Sequence, residues 1–424
     1  MKNERRFMRG VNALLPEHGF AVDELMPPAQ AVIAYFACVR VRPPGEEPVA
    51  LEDASGRFLA GDIHAGQNVP ALARSTMDGF AVRSEDTPGT LQLGGEVAMG
   101  EVWPGTLGRG QALSIPTGGA LPTGADAVVP IEAARVGPES VEIQHAVPVG
   151  DCLTQPGDDM RAGEQLLQRG RRIAAAESSV LATLGYHTVN VFRRPKIGVL
   201  SSGDELVGLR GETGPAQVRD SNRFAIGAAL RARGADVVSF KTVSDAPGAL
   251  ERSLSQALAE CDAIVLTGGS SVGHRDMTPR AIASLGDPGI IVHGLRVKPG
   301  KPTVLAAIGS KPIIGLPGNP TSALIILEAV VAPIINALTG SAQRKMFVTA
   351  VLEEPISGRE GWTWYVPVRI HDEGERYRAM PLPIHSFSTS LPARADGFII
   401  MDERTSVIQA GTAVRVQAFS EEVS

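Results

Sequence analysis

"DAIVLTGGSSVGHRDMTPRAI", Asp262 to Ile282, opens on a continuous apolar run, stops at two glycines, crosses a polar turn and restarts at helical spacing. A short apolar run bounded by glycine reads as a strand buried on both faces, and the restart reads as a helix. The same unit recurs around it. "KIGVLSSG" (Lys196 to Gly203) is another buried strand, and "DSNRFAIGAALRARGA" is a helix with Asp220 or Ser221 as N-cap and a stop at Gly234. "DVVSF", a helix from Pro247 to Ala259, "KPIIGLPG" and a final long helix continue the alternation. That alternation predicts a largely parallel sheet with helices on both faces, over residues 196–342, whose ligands collect at the carboxyl ends of the strands.

Working outward, the texture differs on either side. From Ala31 to about Arg194 short apolar runs are broken by Gly and Pro, as in "GRGQALSIPTGGALPTGADAVVPIE", which suits strands joined by tight turns. Within that region only "AAAESSVLATLGY" reads clearly as a helix, with Gly185 as its stop. Residues 1–30 show no clear periodicity and read as an extension. After Gly340, "MFVTAVLEEPI", "WTWYVPVRI", "RYRAMPL", "DGFIIMDE" and "TAVRVQAF" alternate like strands and predict a small terminal β-domain.

A chain of 424 residues exceeds what one core serves, and its 47 glycines and 31 prolines favour turns and short strands. A net charge of -6, without a run of Lys and Arg interleaved with aromatics, excludes nucleic acid as the expected partner. Cys38, Cys152 and Cys261 lie far apart and form no CxxC or zinc-like cluster, as in a reduced cytoplasmic protein. The N-terminus has no signal-peptide core, and the apolar segment from Ala323 is broken by Glu328, Pro333 and Asn336. No membrane span is expected.

Polar loops at strand ends carry the candidate chemistry. "SSGDEL" sets Asp204 and Glu205 directly after a strand, where carboxylates ligate a hard divalent cation or serve a helix dipole. In the opening stretch Gly268 and Gly269 let backbone N–H groups approach an anion, Ser270 and Ser271 add hydroxyls, and Asp276 with Thr278 serves a metal or caps the next helix. Neither GxxxxGK[ST] nor GxGxxG is present there. "VKPGKP" holds Lys298 and Lys301 on a turn stiffened by two prolines, and "GLPGNPTSA" opens a helix with Pro317, Pro320, Thr321 and Ser322 in its loop and first turn. Four such loops on one sheet edge converge on one crevice. The histidines show no HExxH or HxxxH spacing, so a zinc hydrolase has no support.

Taken in order, "LEDASGRFLAGDI", "STMDGFAVRSED", "IPTGGALPTGADAVV", "PGDDMRAGE", "SSGDEL", "RDSN", "LTGGSSVGHRD", "VKPGKP" and "GLPGNPTSA" resemble the molybdopterin molybdenumtransferases, the molybdenum insertases related to the C-terminal domain of gephyrin. The resemblance runs from about Ala31 to the C-terminus. It implies a multidomain α/β plus β fold: a discontinuous domain (31–65 and 151–195), an inserted β-domain (66–150), a molybdopterin-binding α/β domain (196–342) and a C-terminal β-barrel-like domain (343–424). It implies a homodimer, and a reaction in which molybdenum from molybdate enters adenylylated molybdopterin with release of AMP, assisted by Mg²⁺.

Residue by residue, the resemblance implies that Asp276, Glu205 and Asp245 position the nucleotide-linked pterin, with Asp276 and Glu205 as metal ligands. Lys298 and Lys301 would lie near the phosphate and molybdate, and Pro317 and Pro320 would line the pocket. Gly268, Gly269 and Ser271 would form its anion loop. Asp78, Thr117 and Asp159 match functional positions in the first two domains, and Ser388 or Ser390 with Arg394 match oxyanion contacts in the last. The chain departs from the family at Ser270, where Val is usual, and at His274, where an acidic residue is usual. "RDMTP" is similar instead to the molybdopterin adenylyltransferases, which makes that activity the enzyme alternative. A scaffold role on the same fold is the non-enzyme alternative.

Overall fold

The computed structural model describes residues 25–268, 278–342, 345–374, 376–385 and 388–419. They fall into two compact units, one comprising residues up to Ala60, Gly170–Ser178 and everything from His187, the other Gly61–Arg169 and Ser179–Tyr186.

The larger unit is built on a six-stranded sheet of β1 (Lys196–Ser201), β2 (Asp236–Ser239), β3 (Ala263–Thr267), β4 (Pro288–His293), β5 (Val304–Ile308) and β6 (Lys311–Leu316), in the order β2-β1-β3-β6-β5-β4. The first four strands in that order are parallel. β5 then adds antiparallel to β6, and β4 antiparallel to β5, so the sheet is parallel over four of its six strands. The reason is local: Gly309, at φ +58, allows a tight hairpin between β5 and β6, which sets that pair antiparallel. Strands β4 and β5, on either side of the "VKPGKP" turn, are not among the strands read from the sequence.

Alternate side chains of the strands feed two cores. Ile197, Val199, Val265 and Ile314 pack with helices α1 (Pro28–Cys38) and α2 (Asn222–Ala232) through Ala31, Tyr35, Ile226 and Leu230. Leu200, Ile264, Leu266 and Ile313 pack on the opposite side with α3 (Ala249–Glu260) and α4 (Thr278–Ala283) through Leu250, Leu254 and Ile282. Full burial of each such side chain contributes roughly 1.5–3 kcal/mol. Helix α1 begins inside the stretch read as an extension and continues through residues read as β-like. Pro28 at its first turn starts it, and with several apolar residues on its outer side it shows little periodicity.

The last helix, α5 (Pro320–Thr339), is apolar enough to span a bilayer by composition, yet 67% of its apolar window is buried in this core. It is interrupted by a π-turn over Leu327–Val331. Pro333 has no N–H to offer to the carbonyls four and five residues before it. Those carbonyls find other donors: Lys345 Nζ donates to Ala329 O at 2.9 Å, and Gln417 Nε2 donates to Glu328 O at 3.3 Å.

The terminal strands of this unit are β7 (Phe347–Leu352), β8 (Thr363–Asp372), β9 (Tyr377–Pro381), β10 (Gly397–Met401) and β11 (Ala413–Ala418). They pair in the circuit β8-β9-β7-β11-β10-β8, a closed five-stranded barrel around Val368, Ala379, Ile399 and Val416. Closure removes the free edges that such short strands would otherwise expose. The two-residue strand Val297–Lys298 adds to β8 in parallel.

In the smaller unit a six-stranded sheet runs in the order 127–130, 79–82, 111–115, 89–96, 140–143, 134–136, over a core of Phe80, Val82, Leu91, Val129 and Val141. The helix Ala175–Thr183 is followed by Gly185 at φ +81, the stop read from the sequence.

Lys345→Met therefore leaves the Ala329 carbonyl without a donor and should lower stability by on the order of 1 kcal/mol. Adding Pro333→Ala should recover most of that loss by restoring an N–H. Thermal unfolding of the two variants reads it, and an unrecovered loss in the double variant would count against this account.

Candidate functional site

The functional loops emerge from one edge of the larger unit's sheet. β1, β3 and β6 are parallel, so Ser202–Glu205, the turn at Gly268 and Pro317–Asn319 all leave at their carboxyl ends. β4 runs with β6 because β5 opposes both, so the β4 to β5 connection, 294–303, leaves at that edge too.

Contact between backbones fixes these loops. Gly268 has φ +86, and a Cβ on it would stand 2.0 Å from the Ser202 carbonyl oxygen. A Cβ on Gly318 would come within 3.9 Å of the Gly268 Cα. At Gly268 only a residue without a side chain allows this approach, whereas the contact at Gly318 is an ordinary van der Waals one. Below them, Ser201 Oγ donates to Asp220 Oδ1 at 2.9 Å and Thr267 Oγ1 donates to Ser201 Oγ at 3.3 Å, all three residues being buried. Asp220 also accepts from the Arg223 N–H at 3.2 Å and pairs with the Arg223 guanidinium at 3.5 Å. Of the two N-cap candidates read from the sequence, Ser221 stands at the cap position without a side-chain bond, and Asp220 supplies the bond to the first turn of α2. The burial of Asp220 beneath the crevice is what the sequence reading missed, since an N-cap is usually exposed and only "RDSN" marked the position.

Carboxylates gather at the mouth. Asp204 Oδ1 accepts from the Asp245 N–H at 3.0 Å, and Ser202 Oγ donates to Asp245 Oδ1 at 3.4 Å. Glu205 folds back over Gly203, where a Cβ would meet its carboxylate at 2.6 Å. All three acids are exposed, and it is Asp204, next to Glu205, that bonds to Asp245. Asp276, Gly269 and Ser271, with His274, lie outside the described residues. No group of three potential metal ligands occurs among the described residues.

Loop 294–303 is tied to the barrel. Thr363 N donates to Arg296 O at 3.1 Å, Arg296 pairs with Glu403 at 3.6 Å, and Lys298 Nζ lies 4.4 Å from the centroid of the Trp364 ring. Lys301 N–H groups aside, its carbonyl accepts from Leu295 N at 2.8 Å, and the loop closes on itself. After β6, Pro317 is buried and Asn319 Oδ1 accepts from the Ser322 N–H at 3.0 Å, capping α5 behind Pro320. Thr321 Oγ1, buried, donates to Ser388 O at 2.6 Å. That bond brings the barrel loop carrying Ser388 to the start of α5, a link no sequence pattern announced. Arg394 is exposed, and its carbonyl accepts from Arg369 Nε at 3.3 Å.

Within the smaller unit, Asp78 Oδ1 accepts from Thr117 N at 2.7 Å and from Thr117 Oγ1 at 2.9 Å. These two bonds hold the Asp78 carboxyl below its ordinary range. Gly79 next to it packs so tightly that a Cβ would stand 2.0 Å from Val129 O, which fixes where Asp78 leaves the sheet. Asp159 is exposed, its N–H donating to Val69 O at 3.1 Å.

A mostly parallel α/β sheet with an acid-rimmed loop cluster is thus followed by a closed β-barrel and accompanied by a separate β-rich unit. Three family profiles match in succession: "MoeA N-terminal region (domain I and II)" over residues 26–185, "Probable molybdopterin binding domain" over 198–337 and "MoeA C-terminal region (domain IV)" over 349–419. The molybdopterin molybdenumtransferase of Bacillus subtilis is 33% identical over 390 residues, covering 89% of this chain and 90% of its own. That of Nostoc is 35% identical over 338 residues, covering 77% and 73%. A molybdopterin biosynthesis MoeA protein from Pyrococcus horikoshii superposes with a TM-score of 0.79 at 31% identity, over 94% of this chain and 100% of that one. The chain belongs to the molybdopterin molybdenumtransferase (MoeA) family, and it is a transferase of molybdenum cofactor biosynthesis.

The Asp78 clamp has a definite pH dependence. A carboxyl whose folded pKa is depressed contributes stability that is present above its unfolded pKa and lost as pH falls through the folded one. Titration of Asp78 followed by NMR should therefore show a midpoint below 3.8, and Thr117→Val should move it upward. An unchanged midpoint in that variant would show that the hydroxyl contributes nothing.

Proposed function

We propose that this chain inserts molybdenum from molybdate into adenylylated molybdopterin and releases AMP, with Mg²⁺ as the assisting cation. The observation that carries the reading is the convergence, on one sheet edge, of a side-chain-free backbone cradle at Gly268 and Gly318, exposed carboxylates at Asp204, Glu205 and Asp245, and the lysine loop. Phosphate and molybdate are both anions, and backbone N–H groups with fixed ammonium groups recognise either.

The donor set suits a hard cation. Mg²⁺ uses one or two carboxylates and completes its shell with water and substrate phosphate oxygens, so a three-residue protein cluster is not required. Glu205 and Asp276 are the residues proposed to hold it, and bound there it would neutralise charge gathering on the pyrophosphate as that link breaks. Asp245 orients the mouth of the site through its bonds with Asp204 and Ser202. Lys298 and Lys301 offset the negative charge of phosphate and molybdate. Pro317 and Pro320 give the pocket a wall that does not flex. Ser388 or Ser390, with Arg394, supplies oxyanion contacts from the barrel, and Asp78, Thr117 and Asp159 are contributed across the dimer. The active form is a homodimer working in the cytoplasm.

Purified protein supplied with adenylylated molybdopterin, molybdate and Mg²⁺ should release AMP in step with cofactor formation. Glu205→Gln and Asp276→Asn should each lower turnover by on the order of 10²-fold with little change in unfolding temperature. Absence of AMP release from authentic substrate would refute the reading, and pyrophosphate formation from ATP and molybdopterin would identify an adenylyltransferase instead.

A further inference from the structure

We propose that Trp364, on the barrel strand β8, positions the Lys298 ammonium for its oxyanion, and so sets the affinity for molybdate. The inference rests on the reading of Lys298 as an anion-holding cation and extends it to a residue of another domain. Lys298 is exposed, and a lysine ammonium on its flexible four-carbon stem is not held in one place unless something else fixes it. Among the described residues no carboxylate stands within ion-pairing distance of it; its partner is the face of the Trp364 ring, 4.4 Å from Nζ to the centroid.

That contact is built in from the backbone upward. The strand Val297–Lys298 pairs in parallel with Thr363–Trp364, setting Lys298 opposite Trp364 in register. The Thr363 N–H to Arg296 carbonyl bond and the Arg296 to Glu403 pair hold the preceding residue to the same barrel. The ring itself is fixed by packing. Its indole N–H is buried without a hydrogen-bond partner, and Gly358 lies so close that an added Cβ would meet the ring at 3.2 Å and Met401 at 3.3 Å. A rigid aromatic face attracts an ammonium through its quadrupole without neutralising it. A carboxylate in the same place would hold the lysine equally well but would cancel the charge that molybdate needs. The indole therefore orders the cation and leaves its charge available.

The test compares Trp364→Leu, Trp364→Phe and Lys298→Met in steady-state assays of the full-length protein with molybdate varied, and follows tryptophan emission. Trp364→Leu should raise KM for molybdate about two- to fivefold while kcat changes little, the range that a partly exposed cation–π contact gives. Trp364→Phe, which keeps a ring, should recover part of that loss. The double variant Trp364→Leu with Lys298→Met should bind molybdate no worse than Lys298→Met alone. Lys298→Met should also alter the emission of the wild-type protein and leave that of Trp364→Phe unaltered, showing that the lysine rests on this indole. A wild-type KM in Trp364→Leu, beside a raised KM in Lys298→Met, would overturn the proposal while sparing the role of Lys298. A wild-type KM in Lys298→Met would remove that role, and the proposal with it.

Discussion

The contact between Gly268 and the Ser202 carbonyl is the constraint from which the site follows. Two adjacent parallel strands, β1 and β3, end side by side, and their outgoing loops must cross within van der Waals distance. With a Cβ 2.0 Å from a carbonyl oxygen excluded, glycine at 268 is a steric requirement. The polar groups beneath, Ser201, Thr267 and Asp220, are linked by hydrogen bonds through Asp220 Oδ1, while Asp220 Oδ2 faces the Arg223 guanidinium at 3.5 Å. Buried polar groups arranged this way are costly only when one partner is missing.

The barrel is part of the same machinery. It reaches the α/β domain by three kinds of contact: strand addition at Val297–Lys298, the hydroxyl bond from Thr321 to Ser388, and the side chains of Lys345 and Gln417 near the π-turn of α5. The last of these removes the difficulty that Pro333 creates, because the carbonyls it leaves without an N–H are taken by donors next to and within the barrel. Helix α5 begins at the crevice and passes along the barrel, so the loop at Pro317 and the barrel strands share one rigid element. A loop supported from both sides holds a small oxyanion in place better than a free surface loop does.

Much of this was legible in the residues. The strand and helix alternation from Lys196 to Gly340, the stops at Gly185 and Gly234, the cap of α2 at Asp220 and Ser221 and the five terminal strands all appear where the patterns put them. The failures share a cause. Strands β4 and β5 were not read because their places depend on tertiary pairing, β5 against β6 through the hairpin at Gly309 and β4 against β5. Helix α1 was unreadable because it shows little periodicity over apolar residues distributed around it, so its place was set by packing on the sheet.

By itself the sequence determined most strands and helices, though not β4, β5 or α1, which edge of the sheet carries the loops, and which family the ordered motifs resemble. Hydrophobic period, glycine stops and caps are local properties, and local properties are written in consecutive residues. Only the tertiary structure decided what each loop leans on: that Lys298 rests on Trp364, that Thr321 reaches Ser388, and that Asp220 is buried. Each of these joins residues separated by tens of positions or hides one under a neighbouring loop, and the energy that selects them comes from packing and hydrogen bonding between distant segments.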